Sequence, residues 1–222
     1  SADASAQGDR AHIGINGVAL IMECVATEMG WISRLKAQSR VLLSLRALAG
    51  ELPNFSLARQ KKHGWIPTFF NASTGSEIGR GGPHTDGTGY TTLDSGLNAQ
   101  GVLFARTYFT KTAIKDKSST GKQATAEIAR LAKKVFNLVR FEHLLCDLES
   151  SHQDDNGTAP PFTFDDVGGC GALQRLQPDG AYEYSELHYT VDLAFHQACA
   201  GAPSSSCGNK PVVRMWEAWQ RR

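Results

Sequence analysis

No stretch of this chain approaches the roughly 20 consecutive apolar residues that a membrane-spanning helix needs. The longest apolar pattern, Ile13 to Val25, is interrupted by Gly14, Asn16, Gly17 and Glu23. Excess charge of either sign is also missing. Lys and Arg total 23 against 22 Asp and Glu, and the basic residues are scattered apart from Arg59 to Lys62 and the terminal Arg221-Arg222. Phosphate binding needs a basic surface, so nucleic acid is not the expected partner. The glycine-rich stretch from Gly79 to Gly89 contains no GxxxxGK[ST] and follows no buried strand, which argues against a nucleotide loop. Ser1 to Arg10 lacks a hydrophobic h-region; it reads as a polar tail of residues 1–10 ahead of a single domain over 11–222, not as a signal peptide.

Cysteine is sparse and odd in number, at five. No spacing among the five resembles a zinc site, and no metal or other cofactor is expected. Cys199 and Cys207 bracket a turn-rich loop and form one plausible disulfide; Cys146 and Cys170 flank a polar loop and form a second. Cys24, on the apolar face of the first helix, reads as a buried free thiol. Asn54, Asn71 and Asn156 each open an N-glycosylation acceptor tripeptide in a loop-like segment. Acceptor sites and disulfides together suit a secreted glycoprotein, although five reduced cysteines would suit a cytosolic one.

What the chain does have is helical periodicity. Ile13, Val18, Ile21, Cys24 and Val25 carry it in a first helix ending at Gly30. Ser33 suits the cap of a second helix with Leu35, Val41, Leu42, Leu45 and Leu48 inward and Gly50 as its stop. His63 to Phe70 is short and Pro-broken, and reads as a strand leading to a turn at Thr74-Gly75. Thr91 or Thr92 caps a third helix running to about Phe109, Lys117 to Gln123 reads as a solvated loop, and a fourth helix runs from about Gln123 to Leu145 with a break near Phe141. A fifth starts between Tyr182 and Glu186 and ends near Ala200, and a short sixth, Val212 to Arg221, carries Trp216 and Trp219. Six helices with little strand predict an all-α domain of stacked hairpins. The long loops 50–90 and 146–182 precede the third and fifth helices, and loops of that length are usually functional or disordered.

Those two helices open on carboxylates, in Thr92-Leu93-Asp94-Ser95-Gly96-Leu97 and Tyr184-Ser185-Glu186-Leu187. Taken singly, Asp94 and Glu186 are ordinary first-turn acids favoured by the helix macrodipole. Brought together across a cleft, two carboxyl groups are the minimum equipment for cutting a glycosidic bond. Tyr182, Tyr184, Leu187 and Tyr189 would shield Glu186 from water, as a general acid needs. Asp94, where a helix start favours negative charge, suits a base or a substrate-orienting group. His63 reads as a packed residue. His84 and His188 beside Asp86 or Asp192 form no known ligand triad, and Asp165-Asp166 reads as a turn.

Four segments in order resemble the glycoamylase-like domain family, which includes bacterial endo-β-1,2-glucanases. They are Gly30-Trp31-Ile32-Ser33 with Arg40 to Arg46, His63 to Phe70 with Thr74-Gly75, Thr92 to Leu97 with Gly101 to Phe109, and Tyr184-Ser185-Glu186 with the downstream Trp216 and Trp219. The resemblance implies an (α/α)6 toroid with a short β-hairpin, a β-glucan or other oligosaccharide as substrate, and Asp94 and Glu186 as the matching carboxylates. It would give Trp65, Phe69, Tyr90 and Tyr184 the stacking surfaces for sugar rings. The family's domain is about twice as long as this chain, whose segments correspond to the first half of the toroid. Either the residues belong to a longer enzyme, or a half-toroid is completed by a partner or by homo-oligomers. The competing classes are a secreted structural glycoprotein that assembles through its exposed surfaces, and a carbohydrate-binding module without chemistry.

Overall fold

The computed structural model of the chain describes residues 9–59, 64–78 and 92–140, together with Gln197 and Cys199. Strand β1 (Arg10–His12) leads directly into helix α1 (Ile13–Glu28), and α2 (Arg34–Ala49) follows after a tight turn. Strand β2 (Phe69–Asn71) pairs antiparallel with β1 in the register Arg10 with Asn71, Ala11 with Phe70 and His12 with Phe69. Helices α3 (Thr92–Lys111) and α4 (Ser119–Leu138) complete the described architecture, separated by a 3₁₀ turn at Ala113–Lys115. The described residues are mostly helical, as the periodicity predicts.

Local chemistry explains several boundaries. The Ser33 hydroxyl accepts from the Lys36 N–H at 3.3 Å, and Gly50 ends α2 in the left-handed region at φ 69°. After β2 the chain doubles back through a turn at 72–75, where the Asn71 N–H donates to the Ser76 carbonyl and the Ile78 N–H to the Phe69 carbonyl, the expected short hairpin. Other boundaries need correction. Arg10 belongs to β1 rather than to a tail, because β2 supplies a partner edge the local sequence does not reveal. Helix α4 begins at Ser119, inside the segment 117–123 read as a loop. Ser118 caps it by accepting from the Gly121 N–H at 3.0 Å, and Gly121 and Thr125 are buried against α2 although they show no apolar pattern. Leu35 is exposed, since it lies six residues before buried Val41, about 240° around the helix. The helix-one periodicity also straddles two faces: Ile13 and Cys24 are buried, whereas Val18 and Val25 are exposed.

The four helices form two parallel layers. Helix α1 packs mainly on α3, and their matching ends are adjacent: Gly14 meets Asp94, Gly17 meets Leu97 and Gly101, and Glu28 accepts from the Tyr108 hydroxyl. Helix α2 packs on α4 in the same sense, Gln38 reaching the Gly121 carbonyl near one end and Glu51 pairing with Arg130 and Lys134 near the other. Consecutive helices therefore alternate between two layers, α1 with α3, here called the inner pair, and α2 with α4, the outer pair, as in part of an α/α toroid. Between the layers lie Ile13, Leu20, Val41, Leu45, Val102, Phe109, Ile128 and Leu131.

Gly17 and Gly101 set the spacing of the inner pair. A Cβ on Gly101 would come within 2.1 Å of the Gly17 carbonyl oxygen, and one on Gly17 within 2.2 Å of the Leu97 carbonyl oxygen. Backbone cannot yield as a side chain can. Gly101→Ala is expected to cost about 1–3 kcal/mol or more by forcing the helices apart, read as a lowered urea midpoint. An unchanged midpoint would mean that α1 and α3 do not touch there.

Candidate functional site

The strand-to-helix junction fixes one end of the inner layer. His12 is both the last residue of β1 and the N-cap of α1, where its Nδ1 accepts from the Ile15 N–H at 3.3 Å. The β1–β2 pairing sets the His12 ring edge-on to Phe69, with centroids 4.8 Å apart and planes at 83°. On the same side of β1, the Arg10 guanidinium lies 3.8 Å from the Phe69 ring centroid, a cation–π contact.

Asp94 enters this corner from the first turn of α3. Its Oδ1 lies 3.6 Å from His12 Nε2, the Asp94 side chain being 13 % exposed and that of His12 26 %. Gly14 leaves room for the carboxylate, because a Cβ there would sit 2.7 Å from Asp94 Oδ1. One turn further along, the Asn16 amide donates to Asn98 Oδ1 at 3.0 Å. Ser95, the residue after Asp94, lines a small apolar pocket of about 10 Å³ together with residues that include Ile13, Ile66, Asn98 and Val139. That volume suits about one water and not a sugar ring. Ser95 Oγ, Trp65 Nε1 and Thr68 Oγ1 are buried here or close by in the chain without a hydrogen-bond partner. Unsatisfied buried polar atoms are uncommon; among the described residues Glu23 Oε2 and Gln38 Oε1, away from this corner, are in the same condition.

The opposite end is closed by a structural network. Arg34 Nε donates to Asp116 Oδ1 at 2.5 Å and its Nη2 to Oδ2 at 3.1 Å, while Nη1 reaches the Thr112 hydroxyl and Nη2 the Phe109 carbonyl. Gln38 Nε2 donates to Asp116 Oδ1 and the Thr125 hydroxyl to Oδ2. These residues tie α2, α3 and α4 together, a bracing role.

Of the sequence-predicted site residues, Asp94 faces His12 and Phe69 is half-buried against the His12 ring, with Arg10 lying over the Phe69 ring. Trp65 requires a correction: at 2 % exposure its indole is enclosed by protein and offers no platform to a sugar in this structure. Asn54 is exposed in the turn 52–55, at φ 61°. Asn71 is half-buried and its side-chain oxygen accepts from the Ser73 and Thr74 N–H groups at 2.9 Å. Glu186, Tyr90, Tyr184, Asn156, Cys146, Cys170 and Cys207 lie outside the described residues. His12, Arg10 and Gly14 escape a motif-based reading. The signal available was a histidine immediately before the first apolar helical residue, at the cap position.

Cys24 is a free thiol among the described cysteines, as expected, and is buried. Burial, and then the neighbouring Glu23 charge, push its thiol up to about 12, with Arg34 opposing. It is expected not to react with an aromatic disulfide reagent at pH 8 until the protein is unfolded; fast labelling of the native protein would contradict its placement.

Among the described residues no cluster of His, Cys, Asp or Glu could hold a metal ion, and no helix is long and apolar enough to cross a membrane. No family model matches the chain, and no curated protein sequence matches it. Solved structures do. An endo-β-1,2-glucanase from Chitinophaga pinensis, in complex with sophorotriose and glucose, is similar at 18 % identity and TM-score 0.52 over 90 % of this chain and 43 % of its own. A glucoamylase candidate from Bacteroides uniformis ATCC 8492 is similar at 20 % identity and TM-score 0.48 over 67 % of this chain and 32 % of its own. The chain thus spans less than half the length of either structure. The fold is that of a glycoside-hydrolase-like all-α domain.

Proposed function

We propose that this chain supplies half of a glycoside hydrolase toroid acting on β-glucan, with Asp94 as base or substrate-orienting carboxylate and Glu186 as general acid. The observation that carries the reading is the placement of Asp94. It stands on the first turn of α3, at the end of the domain away from the bracing network, with its Oδ1 3.6 Å from His12 Nε2. The extent of the likeness to the glucanase, 90 % of this chain, supports the fold half of the reading. Because that protein was bound to sophorotriose, β-1,2-linked glucan is the first substrate to try. Phe69, Tyr90 and Tyr184 are the stacking candidates that remain once Trp65 is set aside. A secreted location, with glycans at Asn54, Asn71 and Asn156 and the pairs Cys199–Cys207 and Cys146–Cys170, is part of the same proposal. Asn54 is exposed, as a glycan acceptor must be.

Reducing-end release from β-1,2-glucan, compared between wild type and Glu186→Gln, tests the function. Hydrolysis by the wild type and its loss in the variant are expected; equal rates would remove Glu186 from the chemistry.

A second reading, a structural glycoprotein that assembles through its surfaces, has one specific observation in its favour. Ile15, Val18, Met22, Val25 and Met29, at successive spacings of three and four, form an exposed apolar stripe along α1. Helix α1 carries only two charges, and both are engaged with other helices or their flanks: Glu23 with Arg40, and Glu28 with Lys115. Native size separates the readings, since a large assembly without hydrolysis would favour this one.

A further inference from the structure

We propose that His12 is a positioning residue for Asp94, holding the carboxylate in the direction from which it acts. The inference rests on the reading of Asp94 as a working carboxylate and adds a group which that reading does not contain. Four observations carry it. The two imidazole nitrogens are already distinguished, because Nδ1 accepts from the Ile15 N–H and so carries the lone pair. The proton of the neutral ring therefore belongs on Nε2, which is the nitrogen facing Asp94 Oδ1. The 3.6 Å separation is longer than a hydrogen bond, yet such contacts commonly tighten when a substrate closes the site. The ring cannot easily turn away, because β-pairing sets Phe69 against its edge and Arg10 lies over Phe69 in turn. Finally, Gly14 leaves vacant a position from which a Cβ would press on the carboxylate, 2.7 Å from its Oδ1.

The arrangement follows the general logic of an acting group oriented by a second one that is itself held in place. A misplacement of about 1 Å in such a group costs roughly a hundredfold in rate.

Capping and positioning are separable by substitution. Asparagine at position 12 supplies an oxygen for the Ile15 N–H and so keeps the cap, but is too short to reach Asp94. His12→Asn is expected to unfold at the wild-type temperature while kcat on β-1,2-glucan falls about tenfold to a hundredfold, with KM changed less than about twofold. His12→Ala is expected to lose the same activity and to unfold at lower temperature as well. Full kcat in His12→Asn would overturn the proposal. Asp94→Asn, assayed alongside, distinguishes the two levels: full activity there would sink the assignment of Asp94 and not the geometry around it. A readout independent of turnover is the ¹⁵N spectrum of the His12 imidazole in the full chain. The neutral ring is expected as the Nε2–H tautomer, with an Nε2 resonance that moves in Asp94→Asn. An Nδ1–H tautomer, or an Nε2 signal indifferent to Asp94, would overturn the proposal without any activity being measured.

Discussion

Asp94→Asn is expected to lower kcat on β-1,2-glucan by about 10²–10⁴-fold while leaving thermal unfolding close to that of the wild type. The substitution keeps the shape and removes the charge. The site tolerates it structurally because the Asp94 side chain lies at the edge of the packed layers, on the first turn of α3 and beside a ring that is itself partly open. Gly14→Ala supplies the independent companion. Its Cβ would fall 2.7 Å from Asp94 Oδ1, and that contact is with the end of a side chain, not with backbone. Displacing the carboxylate relieves that contact without moving the helices apart, so stability should change less than in Gly101→Ala while activity falls with the misplaced group. Loss of activity in both variants, with both folds intact, would bind the function to the position of one carboxylate. Wild-type rates in Asp94→Asn would make Asp94 a first-turn acid and nothing more.

Arg34→Ala is expected to be the most damaging single change to the fold, at about 3–5 kcal/mol, because it strands a buried carboxylate. Asp116 has 2 % of its side chain exposed and receives hydrogen bonds from Arg34, Gln38 and Thr125. Burial by itself pushes the Asp116 carboxyl up; the hydrogen bonds from Arg34 and Thr125, with the charge of Arg34, outweigh it and hold the carboxyl below its usual range. A carboxyl depressed in the folded state contributes stability that is fully present above its unfolded pKa and lost as pH falls through the folded value. The gap between wild type and Arg34→Ala should therefore be widest near neutral pH and should narrow as pH falls below about 4. Urea unfolding of both proteins at pH 7 and in the acid range measures it. A gap independent of pH would show that Asp116 does not depend on Arg34 for its charge.

The fold was more legible in the sequence than the site. Caps and stops at Ser33 and Gly50 follow from side-chain chemistry acting over three or four residues, so they can be read locally. Helix α4 shows where this ends: its first turn, Ser119–Gln123, lacks an apolar face and is stabilised by the cap at Ser118 and by Gly121 and Thr125 docking beside Asp116. The α1–α3 contact was hidden for the same reason. Gly14 and Gly17 read as interruptions of a hydrophobic pattern, yet with Gly101 they are points of close approach, where the absence of a side chain is what the packing requires. At the site, Asp94 stood out because a carboxylate at a helix start has a mechanism attached. His12 did not, because its role arises only when a strand pairing brings residues 12 and 69 together and a helix 82 residues away presents its first turn. Trp65 failed as a sugar platform because an aromatic residue in a short strand-like segment gives no indication of how deeply the chain around it will be covered.

The most direct measurement is an amide chemical-shift titration of the full chain with sophorotriose, which reports binding by residue and needs no turnover. The expected result is that the perturbed signals cluster at residues 10–16, 66–69 and 92–98, around the open end that holds His12, Phe69 and Asp94, while those around Arg34 and Asp116 stay fixed. Absence of any perturbation at high sugar concentration, or perturbation confined to the Arg34–Asp116 end, would contradict the assignment of this end of the inner layer as a β-glucan site.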